Sequence, residues 1–178
     1  MKVFEPFKIN QMELKNRMVV SAMVTNYCSE DGMATEKFIA YHEHKAKGGW
    51  GLIITEDYAV TPTAGGFKKL PGLWEDGQIE SHKELTRRIH EVGGKIAAQI
   101  YHAGRETSSA ITGEHPIGPS ALKDPTMPET PREMTVEEIH ELVEQFGDCA
   151  RRAKEAGFDA VEVHGAHGLS LIHISEPT

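Results

Sequence analysis

The chain has 178 residues, enough for one domain with a buried core, and its 39% hydrophobic and 26% charged residues are ordinary for a folded globular protein. A formal net charge of −8, with the lysines and arginines scattered, argues against a nucleic-acid surface, which needs a clustered basic face. No apolar run approaches a membrane span, and the opening MKVFEPFKIN holds no apolar signal core, so the expected setting is cytoplasmic, with Cys28 and Cys149 as reduced thiols.

In chain order, RMVVSAM (17–23) is an apolar, β-branched run after a turn-like KNR and predicts a buried strand. A helix follows over 35–48, with Thr35 as N-cap, Phe38 and Tyr41 on one face, and Gly48-Gly49 as its stop. GLIITEDYAV (51–60) predicts the second strand, and a Gly/Pro/Thr-rich loop runs to about residue 75. The second helix is expected over 77–92, capped by Asp76, with Leu85, Ile89 and Val92 as its stripe and Gly93-Gly94 ending it. KIAAQIY (95–101) predicts the third strand. A loop over 102–134 with five prolines is long enough to be functional or a lid. Thr135-Val-Glu-Glu138 reads as a capping box, and Val136, Ile139, Val143, Phe146, Ala150 and Ala153 predict one buried helical face. Gly157 ends that helix, and DAVEVH (159–164) predicts the fourth strand. Most of the ten histidines fall on polar helix faces and are expected to be solvated.

Alternating strands and helices with near-continuous apolar strands imply a parallel sheet covered by helices. The first strand-to-helix turn lacks G-x-G-x-x-G, which weighs against a doubly wound dinucleotide fold. Polar residues gather at strand C-termini: Ser21 and Met23, Glu56 and Asp57, Gln99 and His102, His164 and His167. That is where a (β/α)8 barrel places its chemistry, so the expected class is an α/β TIM barrel. Such a barrel takes eight strands and typically ~250 residues. Four strands are legible, so the first four βα units are expected.

The spacing His164-Gly-Ala-His167 alone is weak. The pair can share a metal only with further ligands, cap a strand, or donate N–H bonds to an oxygen gaining negative charge. Gln99 is a long amide in an apolar strand that must find partners. It can bind a heteroaromatic edge or satisfy a neighbouring strand. Arg105 suits an anion or a scaffold ion pair, and the end of VVSAM offers a small, flat surface with a hydroxyl.

Together, FEPFKI…LKNRMVVSAM, GGWGLIITE, GGKIAAQIYHAGR and EAGFDAVEVHGAHG resemble the N-terminal half of the Old Yellow Enzyme family of FMN-dependent ene-reductases, in the flavour of its 2,4-dienoyl-CoA reductase and 2-enoate reductase branch. The resemblance covers about residues 3–168. It implies that Ser21, Ala22, Met23 and Val24 lie against the flavin, with Ala22 where proline is usual. It also implies that Gln99 bonds the flavin pyrimidine edge and that Asp57 sits near the flavin where a small residue is common. His164 and His167 would hydrogen-bond the carbonyl oxygen of the acceptor. Cys28 does not coincide with a flavin-tuning cysteine. The implied reaction passes hydride from NAD(P)H through FMN to the C=C bond of a small-molecule enone or enoyl substrate. In longer members a [4Fe–4S] cluster and an FAD-binding portion follow. A homo-oligomer is compatible with this reading.

A tyrosine is expected after HGAHG as proton donor, but Leu169 stands there. From it onward, LSLIHISEPT departs from the family and resembles a translated sequencing-adaptor read-through, so the expected division is a half-barrel over 1–168 and a non-family tail over 169–178. A half-barrel with open edges is expected to aggregate and to hold FMN poorly. Two alternatives remain open. One is a metal-dependent barrel lyase or hydrolase using His164, His167 and Glu56 or Asp57. The other is an inactive fragment that associates through its exposed edge.

Overall fold

The computed structural model describes residues 1–169. Its elements in chain order are β1 (Phe7–Ile9), β2 (Met12–Leu14), β3 (Val19–Val20), α1 (Glu36–Lys47), β4 (Leu52–Ala59), α2 (Ile79–Glu91), β5 (Ile96–Tyr101), α3 (Ser109–Thr112), β6 (Ile117–Gly118), β7 (Arg132–Glu133), α4 (Val136–Glu155) and β8 (Ala160–Val163). Strands β3, β4, β5 and β8 form one parallel sheet in that order. Each new strand is added beside the last with α1, α2 or α4 between, and the order never reverses. A doubly wound sheet needs a reversal; steady winding is that of a (β/α)8 barrel, of which these are the first four strands.

The two sheet faces differ. Ile53, Tyr58, Ala98 and Ile100 belong to the main core, into which α1 sends Phe38 and Ile39, α2 sends Leu85 and Ile89, and α4 sends Leu142, Cys149 and Ala153. On the other face, Leu52 and Ala97 pack with Leu14, and Ile54 and Ala160 lie against them. The β1–β2 hairpin, too short to show in the sequence pattern, therefore plugs the N-terminal end of the sheet with Leu14. That leaves the C-terminal end for polar groups.

Strand β4 carries a bulge. Ile54 pairs with Ala97 but Asp57 pairs with Gln99, so two residues of β4 face one of β5. A regular strand would alternate Leu52, Ile54, Glu56 on one face. The extra residue turns Asp57 toward Gln99 and sends Glu56 into full burial.

Several expectations need correction. The first strand shrinks to Val19–Val20, because only these two residues pair with Leu52 and Ile53. The second helix is entered through a 3-10 turn over Asp76–Gln78, with Glu75 and Gln78 forming a capping box in place of Asp76. Residues 102–134 are folded on themselves: Arg132 N–H donates to the Pro116 carbonyl at 2.8 Å and Met134 N–H to the Gly118 carbonyl at 2.9 Å. On α4 the capping box at Thr135 and Glu138 is present, Ala153 is buried and Ile139, Phe146 and Ala150 pack against the core as expected, but Leu142 and Cys149 are the other buried residues, while Val136 and Val143 face outward at 63% and 61% exposure.

Two helix histidines are buried rather than solvated. His82 Nε2 faces the Gly32 and Gly72 carbonyls at 3.2 and 3.1 Å, so it carries the proton, and Nδ1 accepts from the Tyr58 hydroxyl at 3.2 Å. This one ring ties two loops to β4, and burial pushes its pKa down to about 4. His42 packs edge-on against Phe38 and Tyr41 with no hydrogen-bond partner among the described residues, and burial followed by nearby Lys45 pushes it down to about 3.

The α4 correction is directly measurable. Leu142→Ala should cost about 2–5 kcal/mol in urea unfolding, and its neighbour Val143→Ala less than about 0.5 kcal/mol. Equal losses would contradict the observed face.

Candidate functional site

At the C-terminal end of the sheet an open cleft of about 480 Å³ is lined by Ser21, Ala22, Met23, Val24, Ile54, Asp57, Gln99, Glu162, His164 and His167. The eight residues that the resemblance places at the flavin or the acceptor oxygen all lie on it; Glu56, His102 and Arg105, also singled out from the sequence, do not. The eight come from four strands because parallel strands in sequential order present their carboxyl ends together.

The floor follows from the shortness of β3. Beyond Val20 the backbone leaves the ladder, and Ala22, Met23 and Val24 make no backbone hydrogen bond among the described residues. The segment is nevertheless held. The Thr25 N–H donates to Glu56 Oε2 at 2.7 Å, and the Thr25 hydroxyl donates to Oε1. Burial raises the Glu56 carboxyl pKa, and the Thr25 bonds oppose this. Glu56 is thus a clamp on the floor, not a cleft-facing ligand. The result is a flat strip whose backbone donors and acceptors remain available to a heteroaromatic ring.

The wall opposite is polar. Gln99 Nε2 donates to Glu162 Oε1 at 2.6 Å, which fixes the amide and leaves its carbonyl oxygen for the cleft. Glu162 was not singled out, although its place two residues before His164 in VEVH put it on the same strand face. The Asp57 carboxyl makes no hydrogen bond or ion pair among the described residues. Burial first, then nearby Glu56, pushes its carboxyl up to about 6, with His167 opposing.

The two imidazoles meet. His164 Nδ1 accepts the Ala166 N–H at 3.3 Å, so its proton sits on Nε2, and that atom lies 3.1 Å from His167 Nδ1. His167 Nδ1 is then the acceptor, and its Nε2–H has no partner among the described residues. Burial, and then His167, lower the His164 pKa, keeping that ring neutral. His167 holds a left-handed φ of 61°, a strained conformation for a non-glycine residue. Two donors aimed at one oxygen were expected; in this arrangement His164 spends its proton on its partner, and that bond must open for both to donate outward. Arg105 supports the turn, its Nε donating to the Gly168 carbonyl at 3.2 Å, with Asp124 at 3.8 Å. It binds scaffold, not the cleft.

A second cavity of about 370 Å³ adjoins the cleft and shares Asp57, His164 and His167 with it. Its other walls include Phe67, Tyr101, Glu106, Ile111, Met127 and the buried Leu169. Cys28 is buried and lies outside both. Among the described residues no three His, Cys, Asp or Glu side chains gather to hold an ion. No helix among them is long and apolar enough to cross a membrane. Of the expected tail, residues 170–178 lie outside the described part.

Comparison with known proteins follows the same lines. A profile of the NADH:flavin oxidoreductase / NADH oxidase family matches residues 2–174. The NADPH dehydrogenase of Bacillus subtilis is 42% identical over 173 residues, covering 97% of this chain and 50% of the relative. The NADH oxidase of Thermoanaerobacter brockii is 38% identical over 177 residues, covering 98% of this chain and 27% of the relative. Among solved structures, the old yellow enzyme homologue from Zymomonas mobilis superposes with a TM-score of 0.86 at 30% identity, over 95% of this chain and 50% of the other. Morphinone reductase in complex with tetrahydroNAD gives 0.87 at 31%, over 95% and 50%. The chain thus spans about half the length of these NADPH dehydrogenase and reductase relatives.

The unpaired carboxyl at Asp57 has a stability signature. Its folded pKa of about 6 exceeds the ordinary 3.8, so the folded chain holds the proton more tightly than the unfolded one. Wild-type stability is therefore full below the lower value and falls as pH rises through the upper one. Asp57→Asn should remove this fall and be the more stable protein near neutrality, by at most about 3 kcal/mol. Thermal melts across that pH range check it; a variant less stable at neutral pH would contradict the assignment.

Proposed function

The chain belongs to the NADH:flavin oxidoreductase / NADH oxidase family, the Old Yellow Enzyme family, and from that premise we propose that it carries the chemistry-bearing half of an FMN-dependent ene-reductase. Its substrate would be a small molecule with a C=C bond conjugated to a carbonyl, and its reductant NAD(P)H. The observation that carries this reading is the joining, in one cleft, of an unpaired backbone strip, a fixed amide and a pair of imidazoles.

The cleft suits the flavin. The backbone of Ala22–Val24 offers free donors and acceptors along a flat edge, and the Gln99 carbonyl oxygen can accept from a ring N–H. Both matches concern the donor set rather than size alone. Bound FMN would supply a two-electron carrier between nicotinamide and acceptor.

The chain's own residues do the rest. The clamp of Glu56 on Thr25 keeps the floor in place, and Glu162 keeps the Gln99 amide from rotating. The acceptor's carbonyl oxygen displaces His167 from the His164 Nε2–H. Both rings then donate to an oxygen that gains negative charge as the double bond is reduced. His164 is buried beside the cleft, so once its bond to His167 has opened its N–H is already aimed at that oxygen. The apolar walls of the second cavity exclude water from the acceptor's remaining substituents.

The test is anaerobic. The full-length protein, of which this chain supplies about half by comparison with its relatives, should be reoxidised by an α,β-unsaturated ketone after loading with FMN and reduction by NADH or NADPH. Replacing His164 or His167 by Ala should slow that reoxidation about 10²–10³-fold. Gln99→Ala should weaken FMN binding about tenfold, the worth of one hydrogen bond. Protein that stays colourless with added FMN, or reoxidation indifferent to both histidines, would overturn the reading.

A further inference from the structure

We propose that Asp57 is a catalytic acid of this site, donating from the junction of the two cavities the proton that completes reduction at the acceptor's α-carbon. The inference rests on the ene-reductase reading and adds to it a step that the reading leaves without a donor. Reduction places one hydrogen with both electrons, originating in NAD(P)H, on the β-carbon. The π pair shifts toward the carbonyl, giving an enolate held by the imidazoles. To finish, the α-carbon must form a C–H bond. The Asp57 O–H bond breaks as that bond forms, and the carboxylate left behind takes a proton from solvent, so the site is restored.

Geometry selects Asp57. Among the described residues, only Asp57, His164 and His167 line both the cleft and the second cavity. The histidines are committed to the oxygen, which leaves the carboxyl. The bulge between Ile54 and Asp57 is what aims it there, since a regular strand would have presented Glu56. The carboxyl has no hydrogen-bond or ion-pair partner among the described residues. A half-buried acid left in that state costs stability and is free to act on a ligand.

The competing donors are less suited. The Tyr101 hydroxyl accepts the Gly66 N–H at 2.7 Å, and burial pushes its pKa up. Glu106 lines the second cavity alone, and Leu169 has no acidic hydrogen. The groups facing Asp57 are Glu56 on its own strand, Gln99 and Tyr101 on β5, Glu162 on β8, and His164 and His167 beyond it. Burial and Glu56 together outweigh His167 and place the carboxyl near about 6, close to the optimum for an acid working near neutrality.

The experiment uses FMN-loaded protein, reduced in advance and mixed with an enone at several pH values. Wild type should form the saturated ketone at a rate, read by product analysis, that falls as pH rises through about 6. Asp57→Asn should be slowed at least about a hundredfold and lose that limb, and Asp57→Glu should recover part of both. Infrared titration of the protein without enone gives an independent readout: a carboxyl band that disappears through the same pH and is missing in Asp57→Asn. A change below about threefold with the limb retained would overturn the role of Asp57. So would an infrared titration unaffected by the substitution. Failure of wild type to reduce any enone would instead overturn the ene-reductase reading, and this step with it.

Discussion

Parallel pairing in unbroken sequence order is the constraint on which the rest depends. It points the carboxyl ends of β3, β4, β5 and β8 the same way, so residues up to 146 positions apart in sequence, Ser21 and His167, line one cleft. The two-faced sheet then divides the work. Helices bury one face; Leu14 from the hairpin seals the lower half of the other, and only the upper half can carry polar groups. Two departures from regularity make the cleft chemical. Early release of β3 from its ladder exposes a bare backbone strip, and the bulge in β4 exchanges Glu56 for Asp57 at the surface of the site.

Those departures are held by polar side chains tied to neighbouring protein groups. Glu56 binds two donors of Thr25, Glu162 binds Gln99, and His82 links the Gly32 and Gly72 carbonyls to Tyr58. Each is a local desolvation cost offset by hydrogen bonds, and each fixes an element that would otherwise be free to turn. Asp57 lacks such compensation, and His167 carries backbone strain. A site that keeps one acid unpaired and one histidine strained stores part of the folding energy where chemistry is expected.

Much of this was readable in the sequence. The alternation of elements, the glycine stops, the capping box at Thr135 and the placing of every candidate residue at a strand C-terminus follow from periodicity and local chemistry. What escaped depends on partners distant in sequence. Leu142 and Val143 belong to adjacent faces of one helix, and only the sheet decides which face turns inward. A bulge exists only relative to the facing strand, so nothing in IITEDYA marks the extra residue. The burial of His42 and His82 needs the sheet and neighbouring loops around them. The tie between Gln99 and Glu162 joins two strands whose register appears only on folding.

The central claim is that the strip from Ser21 to Val24, the Gln99 amide and the imidazole pair form one seat for a flavin and its acceptor. A crystal structure of the protein with FMN and a saturated ketone tests it most directly. The account predicts the ring flat on that strip with its pyrimidine edge at Gln99, and the ketone oxygen between His164 and His167 with their mutual bond opened. A ring bound elsewhere, or a ketone whose oxygen leaves that bond intact, would contradict it.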